Sequence, residues 1–169
     1  PAGEFVAKLL GAISDLRILV TSRSPLHVSG EQEFPVPPLL LPEPAAPVSA
    51  ASLAECESAQ LFAARAAASE PGFTITGENA EAIAGIVQRL DGLPLAIELA
   101  AARIKLFGPQ ALLSRLEHRL ALLTGGGRDL PARHQTMRGA IDWSYNLLSA
   151  AEQTLFCRLG VYVGGCTLE

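Results

Sequence analysis

Hydrophobic positions change their spacing twice along the chain. Phe5, Val6, Leu9 and Leu10 recur at helical intervals, and Gly11 stands where such a segment can end. Leu16 to Thr21 is instead mainly apolar, interrupted by Arg17, with β-branched Ile18 and Val20, and is flanked by Asp15 and Ser22. That pattern predicts a fully buried strand of a parallel sheet, preceded by the tail of an αβ unit. Ser22-Arg23-Ser24-Pro25 then leaves the strand at its C-terminal end, the edge where open α/β sheets bind ligands. Gly30-Glu31-Gln32 reads as a turn. Glu33-Phe34-Pro35-Val36-Pro37 reads as a short extended piece that its prolines confine to a sheet edge. Six prolines between Pro35 and Pro47 make a stiff connector.

Beyond the connector the period is helical throughout. Ser52-Leu53-Ala54-Glu55 has the form of a capping box and predicts a helix to about Ser69, with Ala59, Phe62, Ala63 and Ala66 inward. Ala80, Ile83, Ala84, Val87 and Leu90 form one stripe of a helix from about Glu78 to Leu90. Asp91-Gly92 ends it, and Pro94 opens the next at a first-turn position, where a missing N–H costs nothing. Gly92-Leu93-Pro94-Leu95 is therefore a sharp corner with a proline ring at its apex. The helix from Pro94 to about Phe107 is apolar on most sides, as a buried central helix is. Pro109 starts a helix to about Leu116, and Leu120 to Leu123 adds a short apolar turn. Thr124 to Arg133, with Gly125-Gly126-Gly127, reads as a loop and boundary. A helix from about Gln135 to Leu148 follows, with Met137, Ile141, Trp143, Tyr145 and Leu148 apolar. Ser149-Ala150-Ala151-Glu152 is a second capping box, opening a helix that should bury Ala151, Leu155, Phe156 and Leu159 and stop at Gly160.

Composition narrows the functional classes. The chain has 169 residues, 49% hydrophobic and 18% charged, which describes a core-rich globular sequence. A net charge of −4 argues against a phosphate-neutralising surface, so DNA contact through this segment is not expected. No apolar run reaches membrane-spanning length and no signal peptide is visible. Cys56, Cys157 and Cys166 are too widely spaced for a disulfide framework or a metal site, which suits a reducing cytoplasm. His27, His118 and His134 are similarly scattered, so no metal ligands and no catalytic residues are assigned. The chain starts at Pro1, its only methionine is Met137, and Gly164 to Glu169 reads as the start of a further element. A piece of a longer polypeptide is expected.

No Gly-x-x-x-x-Gly-Lys-Ser/Thr loop is present to cradle phosphates; Lys8 and Lys105 lack the preceding glycines, and Gly125-Gly126-Gly127-Arg128 follows a helical pattern. Arg23, behind Thr21 and Ser22 at a sheet edge, is a residue type suited to bidentate phosphate recognition. Ile18-Leu19-Val20-Thr21-Ser22-Arg23 resembles the sensor 1 strand of NB-ARC-type STAND ATPases, and Gly92-Leu93-Pro94-Leu95 resembles the Gly-x-Pro motif of their helical domain. Arg133 to Arg138, Ile141-Asp142-Trp143-Ser144-Tyr145 and Leu155 to Val161 resemble the opening of that family's winged-helix domain, in the form found in bacterial transcriptional regulators.

The resemblance implies a mainly α fold with a small α/β remnant: residues 1–47 the end of a truncated P-loop-type parallel sheet, 48–126 a helical bundle, and 127–169 the beginning of a winged-helix domain. It implies that Arg23 senses the terminal phosphate of ATP, with Thr21 and Ser22 beside it. Pro94 would pack on adenine, with Gly92, Leu93 and Leu95 completing that side of the pocket. ADP or ATP with Mg would bind the intact protein, whose phosphate loop and metal-holding acids lie upstream. This piece alone should bind nucleotide weakly or not at all and should not hydrolyse it. The implied function is an ADP/ATP-dependent regulatory switch in signalling or transcription, working with effector and sensor domains of the same chain. The alternative is a helical protein-interaction platform without nucleotide chemistry. Truncated sheet edges also predict self-association.

Overall fold

The computed structural model describes residues 2–43, 47–116, 122–124, 126, 129 and 131–162. Nine helices lie among the described residues: α1 (Ala2–Ala12), α2 (Ala50–Ala54), α3 (Glu57–Ser69), α4 (Ala80–Arg89), α5 (Pro94–Ala101), α6 (Pro109–Arg115), α7 (Ala132–Gln135), α8 (Met137–Tyr145) and α9 (Ala150–Leu159). The chain divides into two compact units, Pro1–Pro37 and Pro38–Glu169. It is mainly helical. Expectations for Leu120, Gly125, Gly127, Arg128, His118, Cys166 and Gly164–Glu169 fall outside the described residues.

The first unit departs from its sequence pattern. Helix α1 forms as the spacing requires and runs one residue past Gly11, but it buries no residue completely. The predicted strand at Leu16–Thr21 is not a strand, and no strand occurs among the described residues. Ile18 is 37% and Leu19 97% exposed. Pairing explains the correction. A β-strand is defined by the neighbour that takes its N–H and C=O groups, and an apolar run supplies none of that by itself. No described segment pairs with this one, so the expected remnant of a P-loop-type sheet is absent from the observed architecture. The Gly30 turn does form, with Gly30 at φ +81° and the Glu31 amide donating to the Val28 carbonyl at 3.0 Å.

The second unit holds a helical bundle. Phe62 of α3, Ile83, Ile86 and Val87 of α4, Ile97 and Leu99 of α5, and Leu112 of α6 are fully buried in one cluster. Phe62 meets Phe73 edge-on, with ring centroids 6.1 Å apart. Gly85 lets α4 and α6 approach closely: a Cβ there would lie 3.1 Å from both Leu113 methyl carbons. Across the same contact Arg89 donates to the Leu113 carbonyl at 2.8 Å. As its all-round apolar pattern predicted, α5 is central, burying Ala96, Ile97, Leu99, Ala100 and Ala101. It is shorter than expected. After Ala101 the bonds shorten to three-residue steps, Arg103 to Ala100 and Ile104 to Ala101, which tighten the last turns.

Three local expectations are corrected. The first capping box sits three residues earlier, with Ser49 as the cap and Ser52 returning a hydroxyl to the Ser49 amide at 3.0 Å. The helix expected to run unbroken to Ser69 is split at Glu55–Cys56. Cys56 is extended (φ −90°, ψ 120°) and gives the new helix α3 no side-chain cap. In the C-terminal part, Met137 packs on the bundle core. Leu155, Phe156 and Leu159 of α9 remain largely exposed rather than buried. The Ser149 box itself forms as expected: the Ser149 amide donates to Glu152 Oε2 at 2.7 Å, and the Glu152 amide to Ser149 Oγ at 3.4 Å.

Candidate functional site

The corner between α4 and α5 is a defined backbone motif. The Gly92 amide donates to Val87 O (3.4 Å) and the Asp91 amide to Gln88 O (3.1 Å). This six-to-one and five-to-two pair is a Schellman ending, which needs a left-handed residue after the cap. That residue is Asp91 (φ +53°), one of the few types that tolerates the conformation. Gly92 follows, also at positive φ (+66°). It is buried, whereas Leu93 and Pro94 project outward and Leu95 is half-buried. Pro94 occupies the first turn of α5, and the Leu93 carbonyl accepts from Ile97 at 3.0 Å. The pyrrolidine ring is thus presented at a fixed angle by a helix packed deep in the bundle.

Gly92 has a second reason to be glycine. A Cβ on it would lie 2.3 Å from the Leu39 carbonyl oxygen. The stretch Pro38–Pro42 runs directly over the corner, and the Leu39 amide donates to Gly92 O at 3.0 Å. The same stretch reaches α3, where the Leu40 amide donates to Glu57 Oε2 at 3.2 Å. The Leu40 carbonyl accepts from the Ser58 amide and from the Cys56 thiol, both at 3.3 Å. Gln88 of α4 donates to Pro42 O at 3.3 Å. Leu39 packs on the core while Leu40 faces solvent. The sequence marked this stretch only as proline-stiffened. Its acceptors and donors come from distant helices, so no local pattern announces them.

A pocket of about 340 Å³ opens beside α5, lined by Leu95, Glu98, Arg65, Asp129 and His134 among others. Arg65 holds Glu98 Oε1 through Nε (3.0 Å) and Nη2 (2.8 Å) across its wall. In the first unit Thr21, Ser22 and Arg23 are all exposed. The Ser22 hydroxyl closes a local turn, donating to Ser24 O at 2.7 Å and accepting from the Ser24 amide at 3.3 Å. Thr21 and Ser22 line a cleft of about 670 Å³ with apolar Ile18, Val20, Phe34 and Val36. The predicted residues therefore form two clusters, one in each unit. No group of three or more His, Cys, Asp or Glu suited to a metal occurs among the described residues. None of the described helices is long and apolar enough to cross a membrane.

Comparison with known proteins adds a class. The chain is 44% identical over 163 residues to a Mycobacterium bovis protein named "Putative HTH-type transcriptional regulator Mb0914c" and equally to its Mycobacterium tuberculosis counterpart Rv0890c. The match takes in 96% of this chain and 17% of those relatives. It is 35% identical over 164 residues to "Uncharacterized protein Rv0894" of Mycobacterium tuberculosis, covering 97% of this chain and 38% of that one. The chain thus spans under a fifth of the length of the first relatives. No protein-family model and no solved structure matches it.

Proposed function

We propose that this chain is the helical core of a transcription regulator, and that the α4–α5 corner is the adenine side of an ADP/ATP-dependent switch in the complete protein. The similarity to regulators named HTH-type, which runs along 96% of the chain, supports the first part. The observation that carries the second is the corner: Pro94 and Leu93 are outward-facing on a backbone that Gly92 and the buried helix α5 hold still. Arg23 supplies the guanidinium suited to a terminal phosphate. On this reading Leu16–Thr21 gains its pairing partner from elsewhere in the complete protein. Adenine nucleotide with Mg is the implied cofactor, and this chain contributes only the apolar contact and the arginine.

In the complete protein, Pro94→Ala should weaken ADP and ATP alike, by about tenfold. Arg23→Ala should weaken ATP more than ADP. Titration calorimetry with both nucleotides reads the two effects, and unchanged affinities in both variants would remove the switch reading. The exposed apolar residues Trp143, Leu147, Leu155 and Phe156 favour a second reading, a helical platform for protein contact, which survives that result.

A further inference from the structure

The stretch Pro38–Pro42 is more than a connector. Five hydrogen bonds tie it to three places remote in sequence: Gly92 O at the corner, Glu57, Ser58 and Cys56 in and before the first turn of α3, and Gln88 near the end of α4. Leu39 adds one apolar anchor. Pro37, Pro38 and Pro42 restrict the backbone on both sides of it. A stiff strap of this kind cannot easily release one bond and keep the next.

We propose that Pro38–Pro42 is a latch that opens and closes as one piece, coupling the Gly92 corner to the N-terminus of α3. Two features make the coupling physical. The Leu40 carbonyl does the capping for α3 that Cys56 does not, since it accepts the Ser58 amide. Opening the latch therefore uncaps α3. At the other end, the strap can seat only because Gly92 has no Cβ. A displacement of the corner is carried through Leu39 and Leu40 to the first turn of α3, some thirty-five positions away in sequence. The latch belongs to the second compact unit, which begins at Pro38. None of this requires a nucleotide, and it stands or falls apart from the switch reading.

Residue-resolved amide hydrogen exchange on the 169-residue chain tests it. In the unaltered chain the Leu39, Leu40 and Ser58 amides should exchange slowly through one common opening, and those of Phe34 and Val36 should exchange as in an unstructured chain. Glu57→Ala removes a single bond, the one to the Leu40 amide. As one piece, the latch should then lose protection at Leu39 and Ser58 together with Leu40, by about tenfold, while Ile86 and Val87 in α4 keep theirs. Loss confined to Leu40 would overturn the proposal. Gly92→Ala attacks from the other end and should expose the same three amides. Should that variant unfold the whole unit, visible as loss at Ile86 and Val87, Glu57→Ala decides alone.

Discussion

Ile18 and Ile83 are the same residue type, each in an apolar pattern that predicts burial. Ile83 has no accessible surface, whereas Ile18 keeps 37% of its own. The contrast extends to the regions around them. Every fully buried apolar side chain among the described residues lies at Leu53 or later; the first unit contributes none. The difference lies in where each pattern finds its partner. The stripe on α4 meets α2, α3 and α6, all within the same stretch of chain. An extended apolar run needs a neighbouring strand as well as a covering layer, and both are non-local by construction. A helical period therefore predicts burial well when adjacent helices share the core. A strand pattern predicts burial only if its sheet is present.

The sharpest way to break that contrast is a pair of matched truncations. Phe62→Ala removes a ring from the centre of the bundle and should cost about 3–5 kcal/mol in urea denaturation. Phe34→Ala removes an equal ring that is 82% exposed and should cost no more than about 0.5 kcal/mol. Equal costs would mean that the first unit has a core of its own. Ser149→Ala comes next in size. It deletes the cap of α9 and should lower stability by about 1 kcal/mol. Because α9 buries no residue completely, that loss should be confined to local protection of its amides and leave α4 untouched.

The bundle was legible because its information is local. The α4 stripe, the Pro94 and Pro109 starts and the Ser149–Glu152 box are all written within one turn of the residues they control. Apart from the box at Ser49, which lies within one turn of its expected place, the failures share the opposite property. The break before α3 is held by the Leu40 carbonyl, which comes from sixteen positions back for the Cys56 thiol and further for Ser58. The exposure of Leu155 and Phe156 depends on what packs over α9, which periodicity does not encode. The candidate site divides in the same way. The corner could be read from Gly92 and Pro94, but the strap over it could not, because its bonds join residues whose types are unremarkable. Asp91 is intermediate: its left-handed backbone was foreshadowed only by its preference for such turns.

Charge offers a weaker test of how independent these regions are. Arg65 and Glu98 join α3 to α5 at 2.8 Å, but their side chains are 55% and 33% exposed, so solvent screens the pair. Glu98→Gln should cost at most about 0.5 kcal/mol, and added salt should shrink that further. A larger loss would show that the Arg65–Glu98 wall of the pocket beside Leu95 is a structural part of the bundle.

The smallest effects lie in two exposed carboxylates, one in each unit. Glu31 is held below the usual carboxylate range first by the Leu26 amide, which donates to it at 2.8 Å, and then by the Val28 amide at 3.3 Å. Glu152 is lowered by its bonds to Ser149, side chain first and backbone second. In both, the folded pKa lies below the unfolded one, so the folded chain binds protons less readily. Their contribution is complete above the unfolded carboxylate pKa and is lost as pH falls through the folded value. An acid titration followed by amide exchange should loosen Leu26 and Val28 in the first unit and Ser149 in the second, with Ile86 unaffected. The two responses should also be separable. Glu31→Gln should abolish the pH dependence at Leu26 while that at Ser149 persists, and Glu152→Gln the reverse. Each carboxylate acts on its own turn, five residues away at most, so a response crossing from one unit to the other would require a coupling that neither hydrogen-bond set provides.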